Sequence, residues 1–179
     1  QSDDITKLWS KIAEITPPDE MEGTDIKDKS NLQFGKTLLM FQSSAFVGCE
    51  NYDYGTGIVY IYKPSGSDWT LTQKLQGSLS LQNHLFGHSL SAYVNNETGI
   101  GNLFIGAPKK ENIGLAGEVY HYKLNDPNGE YGYWGVGSTS DDEITTWGES
   151  NILIPDDSEA NDQFGCSVDI GDFMSVIGA

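Results

Sequence analysis

Residues 57–75, GIVYIYKPSGSDWTLTQKL, hold two unlike strand signals in succession, and both return later in the chain. The first, Gly57-Ile-Val-Tyr-Ile-Tyr62, returns as Gly117-Glu-Val-Tyr-His-Tyr122, with the alternation of a half-buried strand. The second begins at Trp69 and reaches Leu75; it returns as Trp147 and Leu153. Trp69 precedes Phe86 by 17 residues, and Trp147 precedes Phe164 by the same 17. Working outward, Phe34-Gly35, Phe86-Gly87 and Phe164-Gly165 each open an apolar segment. A second segment follows each, ending in Gly48-Cys49, Gly106-Ala107-Pro108 and Gly178-Ala179. From Phe to that later Gly the offsets are 14, 20 and 14.

The repeating unit is therefore four short strands in the 52 residues from Phe34 to Phe86: an FG strand, a Gly-Ala strand, a G-x-V-Y-x-Y strand and a Trp-led strand. Four-stranded units at this period are the signature of propeller blades. A β-sandwich also spaces Gly and aromatics regularly, but it has no reason to repeat the Trp-to-Phe spacing across 78 residues. With these elements the chain resembles the FG-GAP repeat family, the blades of integrin alpha-subunit heads. The likeness is closest where a segment such as residues 57–75 leads into NDQFGCSVDIGDFMSVIGA (161–179). It implies an all-β fold, a β-propeller of four-stranded antiparallel blades forming part of a seven-bladed ring.

The expected organisation is an N-terminal closing strand and loop over 1–33, a first blade over 34–85, a second blade over 86–163 with an insertion at 123–146, and the start of a third blade over 164–179. In the first segment Trp9 is followed six positions on by Ile15, as in the fourth strands. The alternative there is an amphipathic helix from Asp4 to Ile15, stopped by Pro17-Pro18. Blades bury both faces against neighbours, so the arc is expected to belong to a larger ring, with the rest of the propeller in the same or another chain.

Among the 179 residues, 26 are acidic and 10 basic, a net charge of −16 that opposes nucleic acid. No apolar run is long enough to span a membrane as a helix. The two cysteines, Cys49 and Cys166, lack zinc or redox spacing and are expected to be small buried residues too far apart to bridge.

The second blade exceeds the first by 26 residues, and 24 of these fall in the one–two and three–four connections, which leave an up-and-down blade at one rim. The first, Val94 to Gly101, sits where integrin-like blades often place a calcium loop. Here the aligned positions are Val94, Asn96, Thr98 and Gly99, too few carboxylates for that ion, so calcium is possible only in a degenerate form and no cofactor is expected. Asn96-Glu97-Thr98 is the chain's one sequon, making Asn96 a glycosylation candidate on a secretory route. In the longer insertion, Asp126, Asn128 and Glu130 could chelate a cation, but Asp-Pro-Asn-Gly reads first as a turn. Tyr131, Tyr133 and Trp134 follow it, candidates for contact with a protein or a sugar.

No catalytic constellation is legible. His84 and His88 flank Phe86-Gly87 at a loop-to-strand junction, and His121 alternates with tyrosines on a strand expected to face an edge. The sequence points to a non-catalytic, secreted or cell-surface interaction, adhesion or structural propeller with protein or glycan partners at the surface or matrix. The alternatives are the propeller portion of a larger extracellular enzyme, lipase or glycan-cleaving, and a carbohydrate-binding module.

Overall fold

The computed structural model describes residues 11, 13–18, 29–95, 100–109, 116–124, 146–172 and 174–179. Apart from a 3-10 turn at Lys29–Leu32 and a short turn at Tyr52–Gly55, the regular structure of the described residues is β. Strands β1 (Thr37–Phe41), β2 (Ser44–Cys49), β3 (Ile58–Ser65) and β4 (Asp68–Leu75) form one sheet in chain order. β5 (Ser89–Val94), β6 (Gly101–Ala107), β7 (Glu118–Leu124) and β8 (Trp147–Leu153) form a second. β9 (Ser167–Ile170) and β10 (Ser175–Gly178) form a hairpin. All ladders are antiparallel, as in blades of an up-and-down meander.

The sequence repeat is a repeat of bonds. The residue before each FG pair, Gln33, Leu85 or Gln163, adopts a left-handed φ of 56°, 61° or 57°. That turn lets the N–H groups of Gly35, Gly87 and Gly165 donate to the carbonyls of Gly48, Gly106 and Gly178 at 3.0, 3.1 and 2.8 Å. A register shift recurs at Ile61/Tyr62 and at His121/Tyr122, the same place in each blade.

Alternation along the strands sorts the side chains onto two faces. From the first blade Phe46, Val59, Ile61 and Leu75 point into one buried cluster; from the second, Leu103, Ile105, Tyr120 and Tyr122 meet them there. This is the seam between blades, and Phe86, fully buried, lies in it against Tyr120 and Tyr122 at 5.1 and 6.3 Å. The other face of the first blade carries Ala45, Val47, Cys49, Tyr60 and Tyr62. These positions repeat those with which the second blade enters the seam.

The N-terminal segment covers part of that second face. Described residues 11 and 13–18 form no strand, and Trp9 lies outside the described residues, so the strand expected there is not formed in its described part. A strand needs a ladder partner, and none of the described strands pairs with this segment. Its contacts nevertheless copy those of a fourth strand. Ile15 packs on the cluster around Tyr60 as Leu75 packs in the seam. The Tyr62 hydroxyl donates to the Thr16 carbonyl at 3.4 Å, as the Tyr122 hydroxyl donates to that of Gln76 at 2.8 Å.

Side chains also tie the two blades along their outer strands. Gln73 of β4 donates from Nε2 to the Trp147 carbonyl at 2.7 Å and accepts from the Trp147 N–H at 2.9 Å, so one amide satisfies both backbone groups of that residue. Gln73→Leu is expected to destabilise the chain by about 1–3 kcal/mol, since it removes both partners at once; a thermal melt unchanged from wild type would show that water replaces them freely.

Candidate functional site at the two rims of the second blade

The second sheet has two ends with different chemistry. At one end Val94 pairs with Gly101, Gly101 with Leu124, and Leu124 with Trp147, so these residues of all four strands stand in a single row. At the usual inter-strand spacing the row is about 15 Å wide. Both long connections start and finish on it. The β5–β6 loop is closed by the Asn95 N–H donating to the Ile100 carbonyl at 3.0 Å. The longer insertion returns at Trp147, a buried side chain that packs against Phe41 and Phe46 of the first blade at 6.0 and 5.8 Å. Asn96 and the insertion residues Tyr131, Tyr133 and Trp134 lie outside the described residues, as do Thr98, Gly99, Asp126, Asn128 and Glu130. Their anchoring row is described, and it brings the two loop bases together on one rim.

Two buried carboxylates lie by the opposite end, Glu118 of the second sheet and Glu50 of the first, which meets His88 just before β5. Glu50, just after β2, is met by the Lys36 ammonium and by His88 Nδ1 at 2.5 Å. Burial pushes the Glu50 carboxyl up, but the bonds and charges of His88 and Lys36 outweigh this and hold it below the usual range. Glu118, which opens β7, accepts from Lys109 Nζ at 2.7 Å and from the Tyr120 hydroxyl at 2.7 Å, while His84 Nδ1 stands 3.7 Å away. His84, Lys109 and Glu118 are all buried, and His84 Nδ1 has no hydrogen-bond partner among the described residues. Burial, reinforced by Lys109 and opposed by Glu118, holds the His84 imidazole below its ordinary value. Burial likewise raises the Tyr120 hydroxyl far above the usual phenol range.

The remaining residues singled out in the sequence fall as follows. Phe34 is half-buried against Tyr60 at 5.9 Å, on the first blade's outer face. Phe164 is half-buried too, because its sheet has no described third strand to supply the tyrosines that enclose Phe86. Gly87, Gly106, Ala107, Pro108 and Gly165 are buried, Gly35 and Gly178 half-buried, and Ala179 exposed. His121 does not face a sheet edge: β7 lies between β6 and β8, and the ring bonds Asn102 Oδ1 at 2.9 Å and packs on Phe104. Cys49 is buried, with its thiol bonded to the Leu32 carbonyl and pushed up to about 12 mainly by burial. Cys166 is only half-buried, because the hairpin it leads into has fewer neighbours; both thiols are free. Among the described residues no group of three or more His, Cys, Asp or Glu is arranged to hold a metal ion.

The Glu118 and Glu50 clusters are absent from the sequence reading. The signal for the Glu118 cluster is a break in the repeat. Leu32 and Ile58 of the first blade, both buried in one apolar cluster, correspond to His84 and Glu118 in the second.

Two successive antiparallel four-stranded sheets, joined face to face through one buried seam, define this chain as an arc of β-propeller blades. Residues 147–179, from the Trp147 strand through Phe164-Gly165 to the end of β10, match the family model of the FG-GAP repeat. The bonds around Gly35 and Gly87 carry the same repeat back through the first two blades. No curated protein matches the chain. No helix among the described residues is long and apolar enough to cross a membrane.

Proposed function

We propose that the chain is a non-catalytic interaction module of a secreted or cell-surface protein, and that the rim bearing the two long loops of the second blade meets a protein or glycan partner. The observation that carries this reading is the single row Val94, Gly101, Leu124 and Trp147, from which both loops leave. Binding residues are concentrated on loops that a rigid scaffold positions, and Trp147 anchors this base in the seam between blades. The sequon at Asn96 and the aromatic group Tyr131, Tyr133 and Trp134 belong to those loops. FG-GAP repeats are typical of extracellular or cell-surface proteins, which suits a secretory route. A non-catalytic reading is supported by the state of the acid–base groups: Glu50, His84, Lys109 and Glu118 are closed off by their own neighbours. The reading assigns no resident cofactor.

The first blade's outer face is a second contact surface, for the rest of the propeller. Leu38 and Met40 are 69% and 63% exposed there, whereas Leu90 and Ala92, at the same positions of the second blade, pack into the seam. A groove of about 410 Å³ between Ile15, Leu38, Met40 and Trp69 remains for the side chains of an adjoining blade.

The test is to delete residues 125–145 and join the ends with a short turn, leaving Leu124 and Trp147 in place. Wild-type chain is expected to bind on a glycan array or a panel of immobilised matrix proteins, and the deletion to lose that binding with little change in melting temperature. Unchanged binding would make the insertion mere loop variation. Loss of binding on Trp134→Ala alone would narrow the partner to one that stacks on an aromatic ring.

A further inference from the structure

The connection from β4 to β5 is fastened on both sides of the seam. On the first blade the N–H groups of Asn83, Leu85 and Phe86 donate to the carbonyls of Tyr54, Gly55 and Thr56 at 3.1, 2.7 and 3.2 Å. On the second blade the Lys109 N–H donates to the His84 carbonyl at 3.1 Å. The His84 side chain sits at that second fastening, 5% exposed, between Lys109 and Glu118. Its Nδ1 is 3.7 Å from Glu118 Oε2, too far for a hydrogen bond and too close to admit a bridging water. The Glu118 carboxylate is already held by the Lys109 ammonium and the Tyr120 hydroxyl.

The first blade has no charge at these positions: Leu32 and Ile58, 1% and 3% exposed, stand in place of His84 and Glu118 and pack in one apolar cluster. A buried ion pair is commonly no more stable than apolar residues of similar volume. The polar version in the second blade therefore has to be explained by something other than packing strength. Histidine is the side chain whose charge changes near neutral pH.

We propose that His84, Glu118 and Lys109 form a proton-operated latch that fastens the β4–β5 connection to the second blade at neutral pH and releases it on acidification. With His84 neutral, Lys109 and Glu118 balance each other. A proton on the imidazole adds one uncompensated positive charge to a closed site, beside the Lys109 ammonium, and opening the site to water relieves it. Among the described residues the groups facing His84 are Lys109, which follows β6, and Glu118 on β7; Tyr120, also on β7, reaches Glu118 rather than the ring. The sign follows from linkage. A histidine held below its unfolded value of 6.5 contributes stability above that pH and loses it as the pH falls through 6.5 toward the folded value. The Glu50–His88 contact is a separate fastening just before β5, between the first blade's Glu50 and the start of the second blade.

Hydrogen exchange of the 179-residue chain between about pH 7 and pH 5, corrected for intrinsic rates, tests this. The Lys109 amide is expected to lose protection by about tenfold for each unit by which the His84 value lies below that of a free imidazole. The Asn83, Leu85 and Phe86 amides, bonded to the first blade, are expected to keep theirs. The triple variant His84→Leu, Glu118→Ile, Lys109→Asn imports the first blade's residues and is expected to protect residue 109 equally at both pH values. His121→Gln is the control for the other histidine lowered by burial and is expected to leave the response of Lys109 intact. Should the triple variant fail to fold, titration of the His84 ring by NMR in wild-type protein decides. A ring titrating at or above the free value, protection at Lys109 independent of pH, or a response that survives in the triple variant would each overturn the latch.

Discussion

Phe86→Ala is expected to lower the stability of the chain by about 3–5 kcal/mol, the range for truncating a large, fully buried aromatic. At roughly 2–4 °C per kcal/mol for a chain of this size, the melting temperature should fall by about 6–20 °C. The side chain is 0% exposed, and its ring meets Tyr120 and Tyr122 edge-on at 5.1 and 6.3 Å. Neither tyrosine can move in to fill the space, because each hydroxyl is already placed: Tyr120 on Glu118, and Tyr122 on the Gln76 carbonyl. Phe34→Ala provides the internal comparison. Phe34 holds the same repeat position but is half-buried beside the open groove, so its truncation exposes little that is not already wet. Its loss should be clearly smaller than that of Phe86. Calorimetry on both variants measures the difference, and equal losses would mean that Phe86 does not owe its importance to the seam.

That comparison shows what the repeat makes legible and what it hides. Phe34, Phe86 and Phe164 are identical as letters, and the spacing of Trp69, Trp147 and the FG pairs was enough to read the strand order, the four-stranded sheets and the propeller class. Their different burial follows from which neighbours are present, which no local pattern encodes. The same holds at the N-terminus. The six-residue spacing from Trp9 to Ile15 pointed to a fourth strand; the described part makes a fourth strand's contacts without its ladder. The rim bearing the loops was legible because strand order alone decides which connections share an end. The buried clusters were not, because Glu50 with His88 and His84 with Glu118 lie 38 and 34 residues apart and break the repeat instead of obeying it. A search for charged residues at positions where the other blade is apolar would have found His84 and Glu118 through Leu32 and Ile58.

Gly57→Ala and Gly117→Ala should disturb the join between blades at its backbone. Each glycine forms a parallel bridge to the Phe that opens the next blade, Gly57 to Phe86 and Gly117 to Phe164. Their φ angles, +85° and +106°, are ones that residues with a Cβ rarely adopt. A Cβ on Gly57 would stand 2.1 Å from the Phe86 carbonyl oxygen and 2.5 Å from its nitrogen; on Gly117 the distances to Phe164 are 2.2 and 2.7 Å. The obstacle is backbone, so no side-chain rotation relieves it. The left-handed conformation costs about 1–2 kcal/mol and overpacking about 1–3 more, giving an expected loss of about 2–5 kcal/mol at each site. Gly148→Ala controls for the general effect of adding a methyl group, because nothing lies within 4 Å of its Cβ position and its φ is ordinary. That variant should be neutral, or gain up to about 1 kcal/mol from the lower entropy of its unfolded chain. The two bridge variants should also differ in reach. Gly57 joins two four-stranded sheets, so the Gly57 variant should loosen the whole seam around Phe86; Gly117 joins the second sheet to the β9–β10 hairpin, so its variant should expose chiefly the hairpin. Hydrogen exchange resolved by strand distinguishes these outcomes. Protection lost equally over all ten described strands in both variants would mean that the blades unfold as one unit and that the bridges carry no local share of the join.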